Sequence, residues 1–461
     1  MYFGGIMSFG SLVFLVRFLP VTLLLYYLCP SSWRNILLAG ASLVFYAWGD
    51  PQGLIILLCV AAIGYLAAWG ISASSGGARK AVLAAGLTAV LGFLFVFKYA
   101  DFLLSTAASL GAPHISLELS TPAGISFFTF TVAGYLIDVY KAEDEACMNV
   151  PKYLVFVSFF PKLLMGPIVR YREIRDSLDQ RTVTSDDMEQ GAFTFVSGLA
   201  KKVILADGIS GLWAEVKAIG FSSSSALLCW TGIAAYALQL YFDFSGYSDM
   251  ASGLGRFFGF SLPENFRTPY SSVSVTEFWR RWHITMGLWF RQYVYFPLGG
   301  SRRGRFRNIL NLLAVWALTG LWHGAAWNFV LWGLFYFAVL VLEKQFYLGF
   351  LEKNRLIGHI YTIFITLIGW TLFAVETPSQ IPVLLSRMFA GSGGVSAAYY
   401  LRNYGVLMAL CIVLCTEQAA SLWKKLGERR SFRWGAVLVL LILSIAYITG
   451  STYQPFLYAQ F

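Results

Sequence analysis

In a chain that is mostly apolar, the side chains best able to move a proton near neutral pH are its few histidines. His323 sits in Leu321-Trp322-His323-Gly324, with the apolar stretches Ile309–Leu321 and Ala325–Leu342 on its two sides. An imidazole so placed can take the proton of an attacking alcohol. An ionisable group inside a membrane segment is costly, which marks it as functional by default. The alternative is a neutral buried ring bonded to a backbone carbonyl. His283 lies in Glu277-Phe278-Trp279-Arg280-Arg281-Trp282-His283, with Arg291 two turns later. It reads either as a second functional imidazole or as an interfacial residue among snorkelling arginines. His114 and His359 both have ordinary solvated readings.

A polar run, Tyr241-Phe242-Asp243-Phe244-Ser245-Gly246-Tyr247-Ser248-Asp249, precedes His283. Asp243 and Asp249 could orient a histidine or cap helix ends, and spacing does not decide between these. No two of His283, His323, Asp243 and Asp249 have close ligand spacing, so no metal is expected. The loop Gly299–Arg307 holds Arg302, Arg303, Arg305 and Arg307. It reads as a topology signal with anionic-lipid contacts, and also as a dock for a phosphate-rich cytoplasmic donor, since arginine forks match phosphate geometry. No Walker-type loop is present, so nucleotide hydrolysis finds no support.

The elements that must hold these residues are membrane helices. The 461-residue chain is 57% hydrophobic and only 13% charged, against the roughly 25% charge of a soluble domain. Blocks such as Leu54–Trp69, Ala81–Phe97, Val330–Leu342 and Ala436–Ile448 suit a bilayer core of about 30 Å. The pattern predicts an all-α, polytopic integral membrane protein with about 11–13 membrane helices, read as one domain over residues 1–461. The stretch Val150–Pro297 mixes apolar runs with Gly, Pro and charge, as re-entrant or interfacial segments do. Such backbone survives at membrane depth only when shielded by protein or lining a wet cavity, so the site is expected there.

The formal charge of +10 does not indicate nucleic acid, because the basic residues sit in short loops beside apolar blocks. Basic loops at Arg79–Lys80, Arg302–Arg307, Lys344–Arg355 and Lys424–Arg433 alternate with loops nearly free of Lys and Arg. That bias puts the basic set in the cytoplasm and both termini outside. No cleaved signal peptide is expected. The six cysteines show neither metal-ligand nor disulfide spacing.

Several stretches are together familiar. They are Arg34-Asn35-Ile36-Leu37-Leu38 with Ser42–Gly49, Gly124–Phe130, Phe160–Ile168, Tyr241–Asp249, Asn265-Phe266-Arg267-Thr268-Pro269-Tyr270, Phe278–His283 and Leu318–Gly324. In this order, across nearly the whole chain, they resemble the membrane-bound O-acyltransferases. The likeness is nearest to the alginate O-acetyltransferase branch that serves bacterial exopolysaccharides. The resemblance implies that His323 matches the family's central histidine and His283 its second. It implies a tunnel through the membrane that meets them near the midplane. Acetyl-CoA is the implied co-substrate, with no bound cofactor. D-alanyl transfer to teichoic acid from a carrier protein is the alternative.

On this reading only the acyl group crosses the membrane. His323 takes a hydroxyl proton, the oxygen attacks the thioester, and Arg280, Arg281 or His283 steadies the oxyanion, with Trp322 in support. The tail 450–461 ends in Phe456-Leu457-Tyr458-Ala459-Gln460-Phe461, a Phe-x-Tyr-x-x-Phe pattern. It resembles the ending of a small one-helix partner of the D-alanyl system. Tyr458 is the candidate acyl relay; the alternative is an aromatic interfacial anchor. About ten residues separate the last helix from Tyr458, enough to reach about 30 Å. The expected partners are membrane lipid, an extracytoplasmic acetyltransferase and a polysaccharide acceptor, at a bacterial cytoplasmic membrane. A glycan transporter or flippase is the competing class; against it, neither Trp322–Gly324 nor Tyr241–Asp249 has a second copy.

Overall fold

The computed structural model describes residues 7–389, 393–450 and 456–457. Among these residues the regular structure is helical, with one isolated bridge between Ser224 and Val395. Helix is the outcome that lipid imposes, because it satisfies backbone N–H and C=O groups within the segment. Among the described residues six helices are long and apolar enough to cross a membrane: Pro51–Ala73, Gly76–Ser109, Ala226–Phe257, Trp327–Lys353, Arg355–Ala374 and Arg430–Gly450. A seventh span results if Ala398–Leu414 and Glu417–Gly427, bent by 73°, are one broken helix. The sequence reading expects more segments. The difference lies in apolar helices too short to span alone, such as Phe14–Leu28 and Ile125–Tyr140.

The chain forms two compact units, Met1–Phe195 with Tyr247–Pro263, and Val196–Gly246 with Glu264–Phe461. In the first unit, Pro51–Ala73 packs against Gly76–Leu94 and Ile125–Tyr140. Small residues let these backbones approach. A Cβ on Gly64 would fall 2.4 Å from Val132, and one on Gly86 2.8 Å from Ala67. Asp50 caps the first of these helices by accepting from the Gly53 N–H, while its other oxygen accepts from the Ala123 N–H. A buried aromatic cluster of Phe9, Phe14, Phe45, Phe160 and Tyr247 fills the interior of this unit.

In the second unit, Arg305–His323 and Trp327–Leu342 form a tight antiparallel pair joined by Gly324, Ala325 and Ala326. They cross backbone on backbone: a Cβ on Gly320 would lie 2.5 Å from the Phe329 carbonyl oxygen, and one on Gly333 2.5 Å from that of Trp316. The crossing sits one turn before His323, so it fixes where that imidazole emerges. Trp327–Leu342 also packs against Arg355–Ala374, where Gly369 admits the Tyr336 hydroxyl.

Gly333→Ala is expected to destabilise the protein by about 1–3 kcal/mol through overpacking, seen as a lower thermal midpoint in detergent. Gly405→Ala, at a helical position with nothing within 4 Å, is the control and should not lower it.

Candidate active site

His323 is the last residue of Arg305–His323 and is 3% exposed. Its ring meets Trp332 edge-on at 4.9 Å and Phe373 at 5.3 Å. Trp322 touches both imidazoles, at 5.1 Å from His323 and 5.6 Å from His283. The two histidines, forty positions apart in sequence, therefore share one neighbourhood through a single indole.

His283 is fully buried and joins two short helices, Val275–Arg281 and Ile284–Phe290. Its backbone is left-handed, at φ 45° and ψ 54°. A non-glycine residue held in that region carries strain that only its surroundings can sustain. Here the surroundings are Asn265. Its Oδ1 accepts from the Thr285 N–H at 3.2 Å and from the Thr285 hydroxyl at 3.0 Å, and lies 3.1 Å from His283 Nδ1. The Asn265 carbonyl also accepts from the Ile284 N–H at 3.0 Å. Since a backbone N–H can only donate, the atom facing it is the amide oxygen. Nδ1 of His283 is thus the protonated nitrogen, and Nε2 of the neutral ring carries the lone pair. Phe244 packs on the same imidazole at 4.7 Å.

The helix before His283 is pinned at its start. The buried Glu343 carboxylate accepts from the N–H groups of Val275 and Thr276, at 2.8 and 2.7 Å. Ser274 caps the same helix by accepting from the Glu277 N–H. Glu343 follows directly on the helix that carries Trp332, so one element orients both histidines. Tyr270 ties in the preceding segment: it receives a bond from the Trp370 indole and donates to the Ala237 carbonyl. Around these groups Trp279, Trp316, Trp332, Tyr336, Trp370 and Phe373 form a continuous aromatic wall.

The structure brings together His323, His283 and Trp322. It gives the arginines other duties. Arg280 is exposed, and the Arg281 guanidinium is committed to the carboxylates of Glu277 and Glu417. Asp243 ion-pairs with Lys202 at 2.8 Å. Asp249 is half-buried farther along Ala226–Phe257 and belongs to the first unit. Arg302, Arg303, Arg305 and Arg307 are all exposed. No group of three or more His, Cys, Asp or Glu able to hold a metal occurs among the described residues. Tyr458 lies outside the described residues. Sequence reasoning missed Asn265, an amide with no titration to attract notice, although it opens the quoted stretch Asn265–Tyr270.

The family model for membrane-bound O-acyltransferases (MBOAT) matches residues 140–373, which contain His283, His323, Trp322, Asn265 and the aromatic wall. The chain belongs to the membrane-bound O-acyltransferase family. It is 34% identical to a Pseudomonas putida protein named "Probable alginate O-acetylase AlgI", over 99% of this chain and all of that one. It is 39% identical to the Azotobacter vinelandii protein of the same name, over 83% of this chain and 78% of the relative. A Helicobacter pylori peptidoglycan O-acetyltransferase is 30% identical over 99% of this chain and 98% of its own. The protein is therefore a multi-pass membrane O-acyltransferase, and the two buried imidazoles belong to an acyltransferase domain.

His283 lies outside the helices long enough to span, and burial pushes its pKa down from 6.5 to about 3. Between those values the unfolded chain binds a proton that the folded protein does not. Stability contributed by the neutral ring is therefore present above pH 6.5 and lost as pH falls toward 3, by at most about 1.4 kcal/mol per pH unit. In detergent, the thermal midpoint of the wild type should fall more steeply between pH 6.5 and about 5 than that of His283→Gln. Asn265→Ala, which orphans three donors, is expected to lower acyl transfer about a hundredfold, while Asn265→Asp retains more of it.

Proposed function

We propose that this acyltransferase passes acetyl from cytoplasmic acetyl-CoA to Tyr458 of its own tail, for onward O-acetylation of an extracytoplasmic polysaccharide. The observation that carries the reading is a pair of buried imidazoles bridged by one indole, inside an aromatic wall. Such a setting excludes water, which would otherwise hydrolyse the thioester and weaken every polar interaction. The names of the relatives, an alginate O-acetylase and a peptidoglycan O-acetyltransferase, support acetyl as the group and a glycan polymer as the acceptor.

In the proposed step His323 takes the phenolic proton of Tyr458, and the phenolate oxygen forms a bond to the thioester carbonyl. The carbonyl–sulfur bond then breaks, and the imidazolium returns its proton to the leaving CoA thiolate. The products are acetyl-Tyr458 and free CoA. His283, neutral with its lone pair on Nε2, serves as a second proton acceptor rather than as an oxyanion donor. The Trp322 indole N–H is the donor of the site, since that group can only donate. A tyrosine ester suits onward transfer because a phenolate, with a pKa near 10, leaves more readily than a sugar alkoxide. A separate extracytoplasmic transferase then takes the acetyl group. The reading puts the protein in a bacterial cytoplasmic membrane with both termini outside, and places the arginine loop Arg302–Arg307 where CoA phosphates arrive.

The test is incubation of the purified protein with radiolabelled acetyl-CoA. Covalent label on Tyr458 is expected in the wild type, none in His323→Ala, and none on the tail of Tyr458→Phe. Normal polymer acetylation by Tyr458→Phe would reduce the tail to an anchor. Neutralising Arg302, Arg303, Arg305 and Arg307 together should raise the apparent KM for acetyl-CoA severalfold and leave acceptor dependence unchanged. An unchanged KM would leave these arginines a topological role alone.

A further inference from the structure

Lys202 is the least expected charge in the second unit. Its side chain is 4% exposed, and it lies in a π-helical turn, Lys201–Ala206, between Ser185–Ala200 and Asp207–Ile219. A π-turn inserts an extra residue and re-aims the side chains on it, and such turns gather at functional places. The Lys202 ammonium lies 2.7 Å from Asp207 Oδ1 and 2.8 Å from Asp243 Oδ1. A close approach of backbones makes room for this: a Cβ on Gly246 would fall 2.7 Å from the Gly198 carbonyl and 3.2 Å from the Lys201 Cβ. Burial works against the Lys202 charge, but the two carboxylates outweigh it and hold the lysine protonated.

The same ammonium sits over the ring of Phe456, 4.7 Å from its centroid. Phe456 is the first residue of the Phe-x-Tyr-x-x-Phe ending, and it is 4% exposed. A terminal aromatic serving as an interfacial anchor would present its ring outward. This one is packed inside, on a cation. The path onward is short, because Asp243 precedes Phe244 on the helix Ala226–Phe257, and Phe244 packs on His283 at 4.7 Å.

We infer that Lys202 is the anchor of the C-terminal tail, gripping Phe456 by a cation–π contact and so acting as a positioning residue for Tyr458. The inference rests on the relay reading for its catalytic consequence, though not for the anchoring itself. Two residues of chain cannot exceed about 7 Å, so a fixed Phe456 confines the Tyr458 Cα to that radius. Asp207 and Asp243 keep the ammonium charged and oriented, which assigns the acidic run around Asp243 a role at the tail.

The experiment uses the full-length protein in detergent and reads two quantities. One is the rate at which carboxypeptidase removes residues beyond Leu457. The other is the initial rate of label transfer from acetyl-CoA to Tyr458. Phe456→Leu keeps apolar bulk, removes the ring and leaves the buried ion cluster untouched. It is expected to speed digestion and slow labelling, each about tenfold. Phe456→Tyr, which keeps a ring over the cation, should behave as wild type in digestion. Lys202→Met should match Phe456→Leu, and the double variant should be no worse than either single one, because both break the same contact. Wild-type digestion rates in both single variants would overturn the anchor, as would additive effects in the double variant. Normal polymer acetylation by Tyr458→Phe would instead overturn the relay reading, and the digestion rates would still decide the anchor.

Discussion

The site depends on how a buried imidazole is told which of its nitrogens carries the proton. In water the two tautomers of a neutral ring exchange freely, and a ring in a dry interior takes whichever form its fixed partners require. The Asn265 side-chain oxygen makes that choice for His283, because Thr285 donates to the same atom and leaves it only an acceptor's part. The left-handed backbone at His283 is what brings all three donors to one oxygen. An aspartate at position 265 would also accept, but would add a charge to an interior that already strongly disfavours one. A neutral amide is the cheaper way to orient a ring without altering its charge.

Rigid support for this geometry comes from one helix. Trp327–Leu342 meets Arg305–His323 at a glycine-on-glycine crossing, brings Trp332 against His323, and is followed by Glu343, which holds the start of the helix leading to His283. A shift of that helix would therefore move both imidazoles together. Aromatic rings suit the remaining space because they fill volume with few rotatable bonds, and edge-to-face pairs add to their burial. The wall they form is largely apolar, and the indole nitrogens of Trp279 and Trp332 and the Tyr336 hydroxyl are polar groups buried within it. This arrangement suits a reaction in which a small acyl group moves while a bulky, charged carrier stays in water.

Much of this was legible from residue type. His323 declared itself as an ionisable group between two apolar stretches, and in the fold it is buried against Trp332 and Phe373. His283 was visible only as a histidine among arginines, and spacing left its surroundings open. What decided them, Asn265, lies 18 residues earlier and reaches the ring by a loop contact that no local periodicity encodes. Arg280 and Arg281 looked like oxyanion partners because charge is visible in a sequence while competition for it is not. Arg281 is taken by a carboxylate one turn back on its own helix and by Glu417, which is 136 residues away. The apolar blocks announced helices, while the short helix Ile125–Tyr140 and the 73° bend between Ala398–Leu414 and Glu417–Gly427 emerge only in the fold.

Asp243 shows how tertiary pairing can redirect a motif. In the sequence it stood among polar residues before a histidine, where spacing left open whether it orients a histidine or caps a helix end. In the fold it faces Lys202, which also pairs with Asp207 and lies over the ring of Phe456. On the proposed relay through Tyr458, the consequence is kinetic. A tail free from the last helix onward could carry Tyr458 through a radius of about 30 Å, and most of that volume holds no acyl donor. Fixing Phe456 shrinks the radius to about 7 Å, and since volume scales with its cube, the effective concentration of the phenol rises roughly eightyfold. That gain comes from entropy removed before the reaction begins, and it requires no new contact to the reacting atoms. A buried lysine held between two carboxylates is an expensive way to hold one phenylalanine, unless the residue two positions later has somewhere specific to be.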